Sequence, residues 1–441
     1  MTGALARYAR SFTGFGRDAR LFLLTTIIFG AALSLYWIDF NLYLEAIGLD
    51  RPTMSLLMAV SQLAGVVVAL PASALSDRFG RRTMMAGGMA LVTVALFAFL
   101  PGQRVLLFVG VVALGAGSQV VSVVQIPFIA EHTLPEQRNH YFAVWSAFGF
   151  LTSVVSAVIG GTAATAIADG LGLTSAAAPY QILLAGVAIL GLAALGTVYL
   201  LTSDRPIIDP HRPSTGGRFG MVVKDRGLFF RLLLPGFLTS LGAGQLIPFL
   251  NVFIKTKFAL DLDAVNTFFA ISALGTAAAI MAQPALARRL GRIPSIVLVQ
   301  SASIPFLLVL GFSPVLWTVI VALTVRNSLM NAGSPIFDAF SMERVSPAER
   351  ATLAAWLTLL WSLGWIFGPL YYGALQATLG FTAGYAVDFA TIIVLYTTAT
   401  ALLWMWFHGG ESAAANAAGE AEIDETVVPI ATEAPVLLEH A

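Results

Sequence analysis

The stretch Ser73-Ala74-Leu75-Ser76-Asp77-Arg78-Phe79-Gly80-Arg81-Arg82 closes one long apolar run, and Pro284-Ala285-Leu286-Ala287-Arg288-Arg289-Leu290-Gly291-Arg292 closes another. Gly80 and Arg81 align with Gly291 and Arg292 at an offset of 211 residues. Further along, Glu131, Pro135 and Arg138 match Glu343, Pro347 and Arg350 at an offset of 212, and Trp145 matches Trp356 at 211. Several matches at nearly one offset predict two related halves in tandem. Half-repeats with a binding site at their interface are a transporter architecture.

The runs that precede these loops are long enough to cross a bilayer. Of the 441 residues, 58% are hydrophobic and 11% charged, and mean hydropathy is +0.83. Soluble domains carry about 25% charged residues, so a water-soluble chain of this size could not hide so much apolar surface. Apolar segments at about 21–46, 53–76, 83–101, 104–130, 140–167, 180–202, 228–254, 264–287, 293–312, 314–341, 351–376 and 384–407 each match the roughly 20 residues that a spanning helix needs. Helices satisfy their backbone polar groups internally, so the expected fold is an all-α polytopic membrane protein of twelve helices in two pseudo-symmetric six-helix bundles.

Cationic residues orient these spans. With the N-terminus inside, 19 of the 24 Lys and Arg residues fall on the cytosolic side, 4 outside, and Arg326 within a span. That asymmetry is the positive-inside signal, and it places both termini in the cytoplasm. Residues 1–20 read as a basic cytosolic arm, because no short apolar region with a small-residue cleavage site follows them. The expected bundles are 21–202 and 228–407, joined by a polar, Pro- and Gly-rich cytosolic linker at 203–227. Residues 408–441 hold seven acidic residues, no Lys or Arg and no aromatic residue, and read as a disordered acidic cytosolic tail.

The segment Leu75–Arg82 resembles the loop signature between helices two and three of the major facilitator superfamily (G-x-L-A-D-R-x-G-R-R/K), with Ser73 and Ser76 as departures. The resemblance extends over about residues 20–407 and implies a transporter fold whose helices 1, 4, 7 and 10 line a central cavity. Val111 stands where the family's helix-four signature has an Arg. A similar pattern occurs instead in the tenth span, Arg326-Asn327-Ser328-Leu329-Met330-Asn331-Ala332-Gly333. The G-P-x-x-G pattern that ends the family's antiporter signature in helix five is reduced to Gly160-Gly161. Helix eleven carries Gly364, Gly368, Pro369 and Gly373. The resemblance also implies a cytosolic gate of Asp77, Arg78, Arg81 and Glu131, whose ion pairs hold the inner side closed in the outward-open state. Arg288 replaces the acidic residue in the second half, and Arg82 and Arg292 read as positive-inside anchors.

An ionisable group inside a span is expensive unless it faces water or a partner. Arg326 is therefore a candidate to bind an anionic group or pair with a carboxylate. Asp39, in Tyr36-Trp37-Ile38-Asp39-Phe40-Asn41, is the candidate for proton coupling, because a buried carboxyl can bind and release a proton near neutral pH. Gln119, Gln125, Gln245, Asn251, Asn327, Asn331 and Asn41 are the candidate uncharged substrate contacts. Ser118, Ser122 and Gln125 share one face of span four. Spans three, six and twelve read as nearly free of strongly polar residues. Trp145, Trp361, Tyr36 and Tyr372 are aromatic candidates for a pocket wall or for packing.

The function expected is secondary transport by alternating access: export of a small organic or amphipathic compound against proton entry, in the cell membrane, by a monomer in the bilayer. Proton-coupled uptake of a small anionic metabolite is the alternative, and a non-transporting receptor on the same fold is the reading from another class. No G-x-x-x-x-G-K-[ST] loop is present to cradle nucleotide phosphates. The absence of cysteine excludes thiolate chemistry, and His132 and His140 do not have metal-ligand spacing. The reading is thus not an enzyme, with no cofactor, no metal and no nucleic acid partner.

Overall fold

The structure is a computed structural model. It describes residues 15–133, 223–260, 262–346 and 349–426, and most positions of 141–202. The N-terminal arm up to residue 14, Pro135, Arg138 and His140, and 203–222 of the linker lie outside the described residues, as do 427–441 and the side chains of Asp77 and Arg288.

Among the described residues, twelve helical segments follow one another in chain order. They are α1 Arg17–Ala46, α2 Arg51–Phe79, α3 Arg81–Phe99, α4 Arg104–His132, α5 over described positions of 141–171 and α6 Ala178–Val198. The second half has α7 Arg226–Phe258, α8 Leu262–Leu290, α9 Arg292–Phe312 and α10, which is split into Leu316–Ala332 and Ser334–Glu343. The last helical stretch, Arg350–Thr426, breaks at Gly380, where φ is 72°, into α11 before it and α12 after it. Helix α7 is interrupted by the 3₁₀ turn Ile247–Phe249 around Pro248, which cannot donate to the helical ladder.

The repeat is visible in backbone geometry. Gly80 joins α2 to α3 at φ 88° and ψ 151°, and Gly291 joins α8 to α9 at φ 89° and ψ 164°. A positive φ costs glycine little and other residues much, which is why this one residue recurs in both loops. Next to each glycine an arginine at the start of one helix reaches the far end of the next helix. Arg81 pairs with Glu131 at 3.4 Å, and Arg292 pairs with Glu343. Arg292 is thus more than the positive-inside anchor expected for it: with α8 and α9 turned by the same glycine geometry, its guanidinium meets the carboxylate that repeats Glu131.

Small residues set the helix spacing. A Cβ added to Gly115 of α4 would lie 1.9 Å from the Ser61 carbonyl oxygen of α2, so no larger residue fits that crossing. In the second half, the helix-eleven residues Gly364 and Gly368 lie against Ser240 and Gly244 of α7. The glycines that resembled a displaced signature therefore form a packing seam.

The apolar core shows how the halves meet. One cluster runs through the first half and continues across its outer side into Phe249, Phe253, Tyr372 and Tyr385 of the second. The inner end of the second half has a separate cluster, which includes Leu232, Ile296, Phe340 and Phe407. Among the described residues, the core that the halves share lies on the outer side.

Candidate functional site

The outer face is closed by contacts between the halves. Lys255 of α7 pairs with Glu45 of α1 at 3.0 Å, and Thr256 donates to the same carboxylate at 3.4 Å. Asn41 donates to the Pro248 carbonyl. Arg51 at the start of α2 lies 4.9 Å from the ring centroid of Phe381, and Ser55 lies against Gly373. On the inner side, the Arg81–Glu131 and Arg292–Glu343 pairs each lie within one half. Among the described residues, the halves are therefore joined at the face of Lys255 and Glu45, while the two ion pairs of the opposite face each stay within one half.

The first half contributes a cavity of about 580 Å³ between α1, α4 and α5. Its polar wall is Thr26, Ser118, Ser122 and Gln125, and Trp145 and Phe148 form an aromatic wall. Helical spacing puts Ser118, Ser122 and Gln125 together on α4, as their sequence positions require. The Ser118 hydroxyl oxygen is buried with no hydrogen-bond partner. A buried hydroxyl without a partner is costly, and a polar ligand atom would relieve that cost. Gln119 is one residue off this face and lies against Gly65 of α2, 3.6 Å from where its Cβ would be.

In the second half, Arg326 is 2% exposed and faces the interior of its own bundle. It donates from Nη2 to the Tyr396 hydroxyl at 2.9 Å and from Nη1 to Asn327 Oδ1 at 2.8 Å. Asn327 donates to Ser272 Oγ at 2.9 Å, and Asn331 donates to the Asn327 carbonyl at 2.8 Å. This network ties α10 to α8 and α12. A second cavity, of about 360 Å³, has Thr239, Gln300, Asp338, Thr358 and Trp361 among its lining residues.

Asp39 is 1% exposed. It is packed where a Cβ on Gly160 of α5 would lie 2.7 Å from its Oδ2. Gln245 donates to the Asp388 carbonyl at 3.2 Å, and Asn251 Oδ1 accepts from the Val252 N–H at 2.8 Å. Asp39 thus packs against α5 of the first half, and Arg326 bonds to Tyr396 of the second. Gln125 is the sequence candidate that the structure places on a cavity wall. Of the residues expected at a gate, Arg81 and Glu131 meet, and the Arg78 guanidinium lies 5.4 Å from the Phe79 ring centroid.

Sequence reasoning passed over two carboxyls. Asp338 lies in Ile336-Phe337-Asp338-Ala339-Phe340, and Asp388 in Ala386-Val387-Asp388-Phe389-Ala390. The rule that singled out Arg326, a charge with apolar sequence on both sides, finds both. Asp388 is 0% exposed, so α12 is not free of strongly polar residues. Its apolar neighbours turn outward or into the core and leave this one carboxyl inside.

Comparison with known proteins places this geometry. The family model of the Major Facilitator Superfamily matches residues 22–369 and 232–438. Solved structures share the fold at low identity. A bacterial homologue of the human lysosomal transporter Spinster, in an inward-facing, unoccupied conformation, superposes with a TM-score of 0.72 at 16% identity, over 88% of this chain and 97% of that one. A bacterial homologue of the iron transporter ferroportin, in an inward-facing state, gives 0.71 at 14% identity, over 88% and 98%. The nucleoside transporter NupG gives 0.69 at 13% identity, over 88% and 99%. No curated protein matches the chain closely enough in sequence to count as a relative.

Proposed function

The chain belongs to the major facilitator superfamily, and on that premise we propose that it exports a small amphipathic organic compound against proton entry by alternating access. The observation that carries this reading is the first-half cavity. Its volume of about 580 Å³ falls within the roughly 300–1,000 Å³ usual for small-molecule sites. One wall is aromatic, and the other offers an amide and three hydroxyls. Such a wall binds a flat apolar body and orients it by a few hydrogen bonds.

Gln125, Ser118 and Ser122 are the proposed contacts on this wall. Arg326 with Asn327 positions α10, and Asn331, which is exposed, is the proposed contact of the second half. Asp39 supplies proton coupling from the outer third of α1. The closed outer face and the cavity in the inner part of the first half suit loading from the cytoplasm. Cytoplasmic termini, residence in the cell membrane and action as a monomer belong to the same reading.

Symport of a small anionic metabolite is the second reading. Arg326 favours it, because its buried Nε has no hydrogen-bond partner and could meet an anion after a rearrangement of α10.

The test is uptake and efflux of a labelled panel of amphipathic amines, neutral aromatics and organic anions in proteoliposomes, with and without a pH gradient. Gradient-driven movement of an amphipath towards the acidic side supports export by antiport. Movement of an anion together with protons supports symport. No movement of any compound in either direction would support a receptor role.

A further inference from the structure

The outer half of the second bundle buries a carboxyl that the transport reading above does not use. Asp388 of α12 has 0% exposure, and neither of its side-chain oxygens accepts a hydrogen bond. It is eight residues beyond Gly380, which is about 12 Å along a helix and within the hydrocarbon zone. An ionised carboxylate in such a place, without a partner, costs several kcal/mol, so the packing seen here fits the neutral acid.

Its surroundings connect it to the outer face. Between the halves lies an outer vestibule of about 450 Å³ lined by Glu45, Asp50, Arg51, Met54 and Gln376. Both side-chain polar atoms of Gln376 are buried without partners. Gln376 packs on α12 at Gly384, whose Cβ would lie 2.8 Å from its Nε2. One turn before Gln376 on α11, the Tyr372 hydroxyl is 2.8 Å from that of Tyr385, and Tyr385 shares a face of α12 with Asp388 three residues on. Polar groups thus run inward from the vestibule to the carboxyl.

The charged and titratable groups around it are otherwise engaged. Helix α12 brings Tyr385 and α11 brings Tyr372. Helix α7 brings Lys257, which donates to the Gly311 carbonyl at 2.8 Å, and Lys255, which pairs with Glu45 of α1. Helix α9 has no titratable residue between Ile293 and Phe312. Arg51 of α2 lies over Phe381, seven residues before Asp388.

We propose that Asp388 is a proton-binding site loaded from the outer face, and that its protonation is what lets α2 and α11 close the outer side. When those helices part, the vestibule opens, outer water reaches the carboxyl, and the carboxylate becomes tolerable. Closure then takes one proton from outer water onto the carboxylate and buries the neutral acid. This rests on the proton-coupled reading and adds a second acidic site to Asp39.

The absence of cysteine makes a direct test possible in the full chain in proteoliposomes. Met54 is 1% exposed in the closed vestibule. Labelling of M54C by a membrane-impermeant thiol reagent reports opening, normalised at each pH to S175C, an exposed outer-loop position. Labelling should rise at least about threefold from about pH 5 to pH 9, within the roughly tenfold per pH unit that release of one proton permits. In D388N, which is always neutral, labelling should stay low and lose its pH response. A D388N response equal to that of the parent, or one abolished by D39N and untouched by D388N, overturns the assignment. Should D388N fail to accumulate, D388E takes its place. A shifted midpoint supports the site, and an unchanged one counts against it. Transport driven by a pH gradient, measured separately, decides the proton-coupled reading, so the two can fail independently.

Discussion

Lys255 and Glu45 hold the seventh helix against the first across the outer face, with Nζ 3.0 Å from Oε2. Their side chains are 29% and 28% exposed, so solvent screens the pair and its strength is that of a surface ion pair. Around it, Asn41 reaches Pro248 and Ser55 meets Gly373. Among the described residues, closure therefore comes from apolar packing and small-residue fit, with the Lys255–Glu45 pair fixing register.

Removing that charge should bias the chain towards opening by a small amount. A surface pair contributes about 0.2–1 kcal/mol, so E45Q should raise thiol labelling of M54C by about 1.4- to 5-fold. High salt should bring the parent towards the variant. Equal labelling in the two would remove the pair from the closure.

The steric fit should matter more. A Cβ on Gly373 would lie 2.0 Å from Ser55 Oγ and 3.1 Å from Ser55 Cβ. G373A should hold α2 and α11 apart, raise outer labelling and slow transport, and S55G in the same chain should restore both. If the double variant labels like G373A alone, that contact does not set closure.

Within the first bundle, G115A should lower stability and not bias the conformation. Its new methyl would meet the Ser61 backbone, which cannot rotate away. Overpacking of this kind costs about 1–3 kcal/mol, so the melting temperature in detergent should fall by several degrees. Gly186 of α6 has open space at its Cβ, and G186A should melt like the parent.

At the face opposite Lys255 and Glu45, Glu349 ties the linker's end to the loop before α11. It accepts from the Lys224 N–H at 2.7 Å and from the Ser346 hydroxyl at 2.6 Å. The Ser346 hydroxyl and then the Lys224 N–H hold its carboxyl below its ordinary 4.5. A depressed folded value means that the contribution is complete at pH above 4.5 and is lost as pH falls through the lower folded value. Exchange protection of the Lys224 amide should hold at neutral pH and decline only in that acid range. E349Q should weaken protection at neutral pH and flatten the profile.

Arg326 separates a structural role from a binding one. R326K keeps the charge but cannot reach both Tyr396 and Asn327 with a planar fork. A lower melting temperature for R326K and for Y396F, with transport affinity unchanged, is expected if the residue positions α10. Loss of affinity for organic anions in R326K at unchanged melting would favour symport of an anion.

Much of the fold was legible in the chain because its causes are local. Apolar length dictates a spanning helix, and Gly80 and Gly291 mark the same turn because both need a positive φ. The face of Ser118, Ser122 and Gln125 follows from helical period alone. The Arg81–Glu131 pair was legible from a motif, yet its twin Arg292–Glu343 went unread because Arg288 broke the acidic half of that motif.

Sequence by itself thus determined that the chain spans the membrane as two related bundles and which residues could bear charge or hydrogen bonds inside them. Only the tertiary structure decided where those groups point. Asp39 and Arg326 are both buried polar residues in spans, but helix rotation and packing turn each into its own half. Asp388 stands alone among the apolar residues around it in sequence, and only its burial against neighbouring helices gives it surroundings. Rotation about a helix axis is set by the neighbours that each face meets, and those neighbours lie up to hundreds of residues away along the chain.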